Sequence, residues 1–349
     1  MDIAARNGLR AQLQDALLTP VSLADPRQRE KLDALVERVK QHRALYSYFI
    51  TDEPSATNFP ALGKLVAYLR QKDPAHLAYI NLFPTYASNE QLGNPGEKVT
   101  AYQAHLRQFL EVVKPSMLSY DHYQLTTNGD SPDYFLNLSL VRRASLDAGL
   151  PFLNIVQAAT WTSSMRVPHS DEMRFLAYTT LAYGAQGISY YVYCYPGHTG
   201  GIADPGGSPT PLYDTLTTVN RQFVALAREL QRLKSLAVYH VGMIPPGGET
   251  LPKNASFFFD PPVHAMDFRP PERCRGAILS IFGAPAKRAK PVCALVVNLD
   301  YQSEQVLGIR GPGRLEVFDP ATRRWTLCEH RRLELRLGPG GGNLVRLHR

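Results

Sequence analysis

Cysteine is scarce: Cys194, Cys274, Cys293 and Cys328 are the only four in 349 residues, far apart and without C-x-x-C or Cys/His ligand spacing. That pattern argues against a zinc site, offers no support for disulfides and points to buried free thiols. No stretch approaches the roughly 18 consecutive apolar residues of a membrane span, so no membrane partner is expected. The opening residues, Met1-Asp2-Ile3-Ala4-Ala5-Arg6-Asn7-Gly8, lack a basic segment followed by an apolar one. No export signal is read there, and a cytoplasmic location is the default expectation. A concentrated charge of one sign is also missing. The 38 Lys+Arg exceed the 31 Asp+Glu by seven, yet from His240 onward 16 basic residues stand against 10 acidic ones, which leaves the first two-thirds nearly neutral. The C-terminal basic residues are scattered, apart from Lys287-Arg288 with Lys290 and the pairs Arg323-Arg324 and Arg331-Arg332. A solvated basic surface is expected there, and no nucleic-acid partner.

What the chain does have is enough apolar material for a core, at 44% hydrophobic and 10% aromatic residues, and a length suited to two domains or one large α/β barrel with an appendage. Short apolar runs at 9–13, 45–50, 77–82, 117–120, 152–156 and 188–193 read as strands. Each precedes a segment of helical period, at 27–42, 59–71, 99–113, 132–148, 170–183 and 212–233. Leu32, Leu35, Val36 and Val39 carry that period in the first of these. Six βα units around a parallel sheet are predicted. After Ser235 the texture changes to Pro/Gly-rich connections, such as Ile244-Pro245-Pro246-Gly247-Gly248, between runs at 277–281, 294–298, 315–318 and 333–337. Close strands with turn signals predict a small all-β domain. The expected division is 1–239 for a (β/α) barrel and 240–349 for a β-sandwich. Gly338-Pro339-Gly340-Gly341-Gly342 reads as a turn, since no Lys-Ser/Thr follows to make a phosphate loop.

In a parallel βα barrel the functional residues follow the C-terminal ends of strands. Those positions hold Gln14-Asp15, then Thr51-Asp52-Glu53-Pro54, Asn81 through Tyr86, Asp121-His122-Tyr123, Gln157 with Trp161, and Tyr193, Tyr195 and His198. Aromatic faces stack on the C–H surfaces of a pyranose, amides and carboxylates bond its hydroxyls, and two carboxylates divide acid and base work. The set suits a carbohydrate. A plainer reading stands beside each choice. Asp52 and Glu53 are also what a helix N-terminus takes, with Pro54 in its first turn. Asp121 and His122 are compatible with a hydrogen-bonded core corner. Tyr191, Tyr193 and Tyr195 alternate with Tyr190, so one face must be packing. Asp171 and Glu172 after Ser170 read as a helix N-terminus.

The stretches Tyr46-Ser47-Tyr48-Phe49-Ile50-Thr51-Asp52-Glu53-Pro54, Tyr79-Ile80-Asn81-Leu82, Ser119-Tyr120-Asp121-His122-Tyr123 and Ala182-Tyr183-Gly184-Ala185-Gln186-Gly187-Ile188-Ser189-Tyr190-Tyr191 resemble bacterial glycoside hydrolases of clan A, near the family 42 β-galactosidase-like enzymes. The resemblance covers most of residues 7 to 240. It implies a TIM-type barrel and places the clan's acid/base at Glu53, with Asp52 in place of the usual Asn. The clan's nucleophile falls where this chain has Gln157, which cannot form a glycosyl ester. Asp121 is the nearest substitute, as nucleophile if roughly 5 Å from Glu53 or as base of an inverting enzyme at roughly 6.5 to 9.5 Å. The second is preferred, because the strands bearing the two residues are not neighbours. On the same alignment the first two barrel strands are missing.

The expectation is therefore an α/β chain with an incomplete TIM-type barrel of about six βα units and a C-terminal all-β sandwich, acting as an exo-acting, β-galactosidase-like glycoside hydrolase. Glu53 and Asp121 are the expected catalytic pair. Asp52, Asn81, His122, Tyr123 and Gln157 are expected to hold sugar hydroxyls, with Trp161, Tyr193 and Tyr195 as stacking walls. The expected partner is an oligosaccharide or β-galactoside, with no metal or organic cofactor. A homodimer is expected to cover the barrel gap. The rival is a non-catalytic carbohydrate-binding or scaffolding protein derived from such a barrel.

Overall fold

The computed structural model describes residues 1–285 and 290–348, so the Lys287-Arg288 pair lies outside the described residues. The chain divides into two compact units, Met1–Asp121 with Arg143–Leu153, and His122–Arg142 with Asn154–Arg349. It is a mixed α/β protein, and among the described residues no sheet closes into a barrel. No helix of these residues is long and apolar enough to cross a membrane.

In the first unit the parallel strands Ala11–Gln14, Leu45–Asp52 and Leu77–Asn81 lie side by side in chain order. A parallel bridge from Leu82 to Tyr120, with Leu82 N–H donating to Ser119 O at 2.9 Å, carries the order on to the Leu118–His122 strand. The connections are helices, as parallel pairing requires. Pro26–Val39 starts where Asp25 accepts from Gln28 N–H and Pro26 occupies the first turn. Its buried stripe of Leu32, Leu35, Val36 and Val39 packs in one cluster with Leu45, Tyr48, Leu65, Tyr68 and Leu69. The Phe59–Lys72 helix runs close to the Phe109–Val113 turn that extends Lys98–Gln108. Gly63 permits that approach, because a Cβ there would lie 2.5 Å from Val112 O.

In the second unit residues 154–157 of the Phe152–Gln157 strand run beside Gly187–Tyr191, and Ser170–Ala182 and Pro211–Leu230 are the long helices. The N-terminus of Ser170–Ala182 is closed by Glu172, which accepts from His169 N–H at 2.9 Å. From Lys234 the chain forms a seven-stranded sheet in the order Glu249–Thr250, Lys234–Gly242, Gly276–Gly283, Pro291–Asn298, Gly342–Leu347, Leu315–Asp319, Arg324–Leu327. A second sheet orders Phe258–Phe259, Gln305–Arg310 and Arg332–Leu337. One apolar cluster draws on both: Leu279, Ile281, Val296 and Val345 from the larger, Phe259, Ile309, Leu333 and Leu335 from the smaller. The glycine run from Gly338 makes a turn, with Gly341 N–H donating to Gly338 O and Gly340 at φ +63°. Among the described residues no two cysteines form a disulfide, and Cys274 and Cys293 are buried.

Candidate active site

The first unit brings Glu53, Asp52, Asn81 and Asp121 together at the ends of three adjacent strands. The register between Leu45–Asp52 and Leu77–Asn81 slips between Phe49 and Thr51, an irregularity that re-aims the residues after it. Two residues on, Glu53 adopts φ +46°, a left-handed backbone that a side chain enters at a cost of roughly 1–3 kcal/mol. Its N–H is held by Asn81 O at 2.9 Å. Neither carboxylate serves the helix that follows. The Ala56–Asn58 turn starts at Ser55 and Phe59–Lys72 at Asn58, neither with a side-chain cap. The helix-cap reading of Asp52-Glu53 therefore does not apply.

Asn81 is the connector. Its amide nitrogen donates to Asp52 Oδ1 at 3.0 Å and to Asp121 Oδ1 at 2.6 Å, and its carbonyl accepts from the Ser119 hydroxyl at 3.0 Å. Ser119 Oγ in turn lies 2.7 Å from the Tyr79 hydroxyl. Asn81, Ser119 and Asp121 are buried and Tyr79 almost wholly so, whereas Asp52 is exposed and Glu53 half-buried. Burial first, then the nearby charges of Asp121 and Asp52, push the Glu53 carboxyl up to about 8. Burial is also the main reason that the Tyr79 hydroxyl is pushed up to about 12, which keeps it a donor at neutral pH. Ser119 and Tyr79 were absent from the sequence-based selection. A signal for them existed, since Tyr79 and Asn81, like Ser119 and Asp121, sit two apart on a strand and share a face.

The second unit gathers aromatic rings. Trp161 packs edge-on to Tyr123 at 4.7 Å and to Tyr191 at 4.9 Å and stacks on His198 at 5.4 Å. Tyr195 lies 4.8 Å from His198, and Tyr191 OH is 3.2 Å from His198 Nε2. Tyr193 stays outside this group, 57% exposed, while Tyr190 turns the other way to donate to Asn220. His122 and Gln157 face inward and are fully buried. The ring nitrogens of His122 meet Asn137 Oδ1 at 3.0 Å and Ser131 Oγ at 3.1 Å. The Gln157 amide donates to Leu125 O and Arg166 O and accepts from Leu125 N–H. Its contacts are thus to backbone, and a carboxylate there would face two carbonyl oxygens. A buried network escaped sequence reading: Asp130 accepts from Tyr301 and Gln124, and Arg166 pairs with Glu172. It joins residues too far apart in the chain to form a motif.

No family model and no curated protein matches the chain. Among solved structures it is similar to a β-galactosidase from the psychrophilic Marinomonas ef1, at 12% identity and TM-score 0.47 over 70% of this chain and 54% of that one. It is similar to a glucosidase from Croceicoccus marinus at 13% identity and TM-score 0.40, covering 99% and 80% respectively. A third is a putative α-L-fucosidase from Bacteroides thetaiotaomicron VPI-5482, at 10% identity and TM-score 0.40, covering 56% and 60%. The chain thus spans 60% of the fucosidase and 54% of the β-galactosidase.

Proposed function

We propose that the chain is a glycoside hydrolase, exo-acting and β-galactosidase-like, in which Glu53 is the general acid and Asp121 the base. One arrangement carries this reading: burial and the nearby charges of Asp121 and Asp52 push the Glu53 carboxyl up to about 8, while Asp121 receives an amide hydrogen from Asn81. Acetal hydrolysis needs one carboxyl group that gives a proton and a second that accepts one. The reading favours single displacement. The strand bearing Asn81 lies between those bearing Glu53 and Asp121, so their backbones stand roughly 10 Å apart at two strand spacings. Single displacement requires two carboxyl groups set apart so that a water can enter, and Gln157 offers no alternative nucleophile. In this reading Asp52 bonds a substrate hydroxyl, Asn81 holds Asp52 and Asp121 in place, and the Trp161 group of the other unit is a separate candidate surface for stacking on sugar.

The test is hydrolysis of a panel of nitrophenyl and alkyl β-glycosides, galactosides included. Glu53→Gln should cut turnover of alkyl glycosides by about 10²- to 10⁴-fold and that of activated aryl glycosides less, because they need less protonation. Equal losses for both would overturn the assignment of Glu53. Sugar binding by a chain that turns over none of the panel would favour a binding protein instead.

A further inference from the structure

We propose that Ser119 and Tyr79 are positioning residues for the acid–base pair: together they lock the Asn81 amide in the one orientation that presents both of its N–H bonds to Asp52 and Asp121. The proposal rests on the reading of Glu53 as acid and Asp121 as base. Hydrogen counting sets the direction of the chain. An ionised carboxylate only accepts, so the amide edge toward Asp52 and Asp121 must be the NH₂, and both of its hydrogens are used, at 3.0 and 2.6 Å. The carbonyl edge then needs a donor, which the Ser119 hydroxyl supplies at 3.0 Å. A serine has one hydrogen, so the 2.7 Å contact with Tyr79 must run from the tyrosine to Ser119 Oγ. Asn81, Ser119, Asp121 and Tyr79 are buried, so water does not reach those links, while Asp52 at the outer end of the network is exposed.

Without Ser119 the carbonyl edge loses its donor and only the two carboxylates hold the amide in place. An Asn81 free to rock about that contact would present its N–H to Asp121 less closely, and Asp121 would lose a fixed donor to its charged form. The titratable groups facing the amide are Asp52 at the end of one strand, Asp121 on the strand beyond, Glu53 next to Asp52, and Tyr79 through Ser119. The step affected is the ionisation of Asp121 as base.

The experiment uses the full chain with Asp carboxyl carbons labelled with ¹³C, followed by NMR across pH, with Asp121 assigned through Asp121→Asn. Activity profiles are recorded on the same variants. Ser119→Ala should raise the Asp121 titration and the acidic limb of kcat/KM by about one pH unit, the scale of one hydrogen bond to a charged group. Activity on the acid side would fall about tenfold. Tyr79→Phe should shift both in the same direction by less. The double variant should match Ser119→Ala alone, because Tyr79 acts only through Ser119. An unmoved Asp121 titration in Ser119→Ala, or additive shifts in the double variant, would overturn the proposal. An Asp121 shift in a chain that cleaves no glycoside would uphold the positioning role while removing the catalytic reading. An unmoved titration in an active enzyme would do the reverse.

Discussion

A carboxyl group held up to about 8, against an ordinary value of 4.5, costs the fold stability in a definite pH window. Below about 4.5 Glu53 is protonated in both the folded and the unfolded chain and contributes no difference. As pH rises toward 8 the unfolded chain sheds the proton first, so stability falls, and above that range the loss levels off. Glu53→Gln removes this dependence. The variant's Tm should equal that of the native chain near pH 4 and exceed it at pH 8 to 9, as thermal melts across pH would show. A variant less stable at pH 9 would mean that the Glu53 charge is compensated by a group outside the Asp52, Asn81 and Asp121 set. A site that gains stability when its acid is removed is expected where side chains are arranged for chemistry rather than for folding.

Helix packing in the first unit depends on the small residue at position 63. Alanine is the better helix former by roughly 1 kcal/mol, so Gly63→Ala in an isolated helix would be stabilising. Here the added methyl would sit 2.5 Å from Val112 O, a backbone atom that cannot swing aside. Overpacking of that kind costs about 1–3 kcal/mol, and the balance should be a loss of about 1–2 kcal/mol, readable by urea denaturation. Stability equal to or above that of the native chain would show that the Phe109–Val113 turn yields. The element limits were largely legible in sequence, because period and turn residues act locally. All six predicted βα pairs form, from Ala11–Gln14 with Pro26–Val39 to Gly187–Tyr191 with Pro211–Leu230 across a break in helical order. The strands Lys234–Gly242, Gln305–Arg310, Arg324–Leu327 and Gly342–Leu347 escaped prediction. The first follows directly on a predicted helical segment, and in the other three, which are shorter, glycine or charge interrupts the alternation that would mark them.

At the scale of the whole molecule, and among the described residues, each unit buries a histidine with an unmatched ring nitrogen, His105 Nε2 in the first and His240 Nδ1 in the second. Burial lowers them to about 4 and about 3 from an ordinary 6.5. Above 6.5 neither state is charged; as pH falls below it the unfolded chain takes up protons that the folded chain refuses, and stability is lost down through pH 4. Denaturation at pH 7, 5.5 and 4 should show this acid loss, and His105→Gln with His240→Gln should shrink it. A loss of unchanged size in the double variant would assign it to carboxylates. Assembly is a second expectation at this scale. The Ala11–Gln14 strand has a sheet neighbour on one side only among the described residues, and Leu9 beside it is 63% exposed. Open edges of this kind are usually covered. Sedimentation velocity at micromolar concentration should find a dimer, and an active monomer would refute it.

What the residues settled unaided was the succession of strands and helices and the placement of Asp52, Glu53, Asn81 and Asp121 at strand ends, since hydrophobic period and turn chemistry are written along the chain. What they left open was decided by neighbours distant in sequence. The side chains of Asp52 and Asp121 are linked through Asn81 because the Leu77–Asn81 strand sets that residue against both. Gln157 and His122 follow strands as site residues do, yet Leu125, Arg166, Asn137 and Ser131 draw them into the interior. Tyr193 and Tyr195 look alike in sequence, but it is Tyr195 that meets the His198 ring. A hydrogen bond or a ring contact has no period: it exists only where two strands or loops are brought within a few ångströms, and that distance belongs to the tertiary structure.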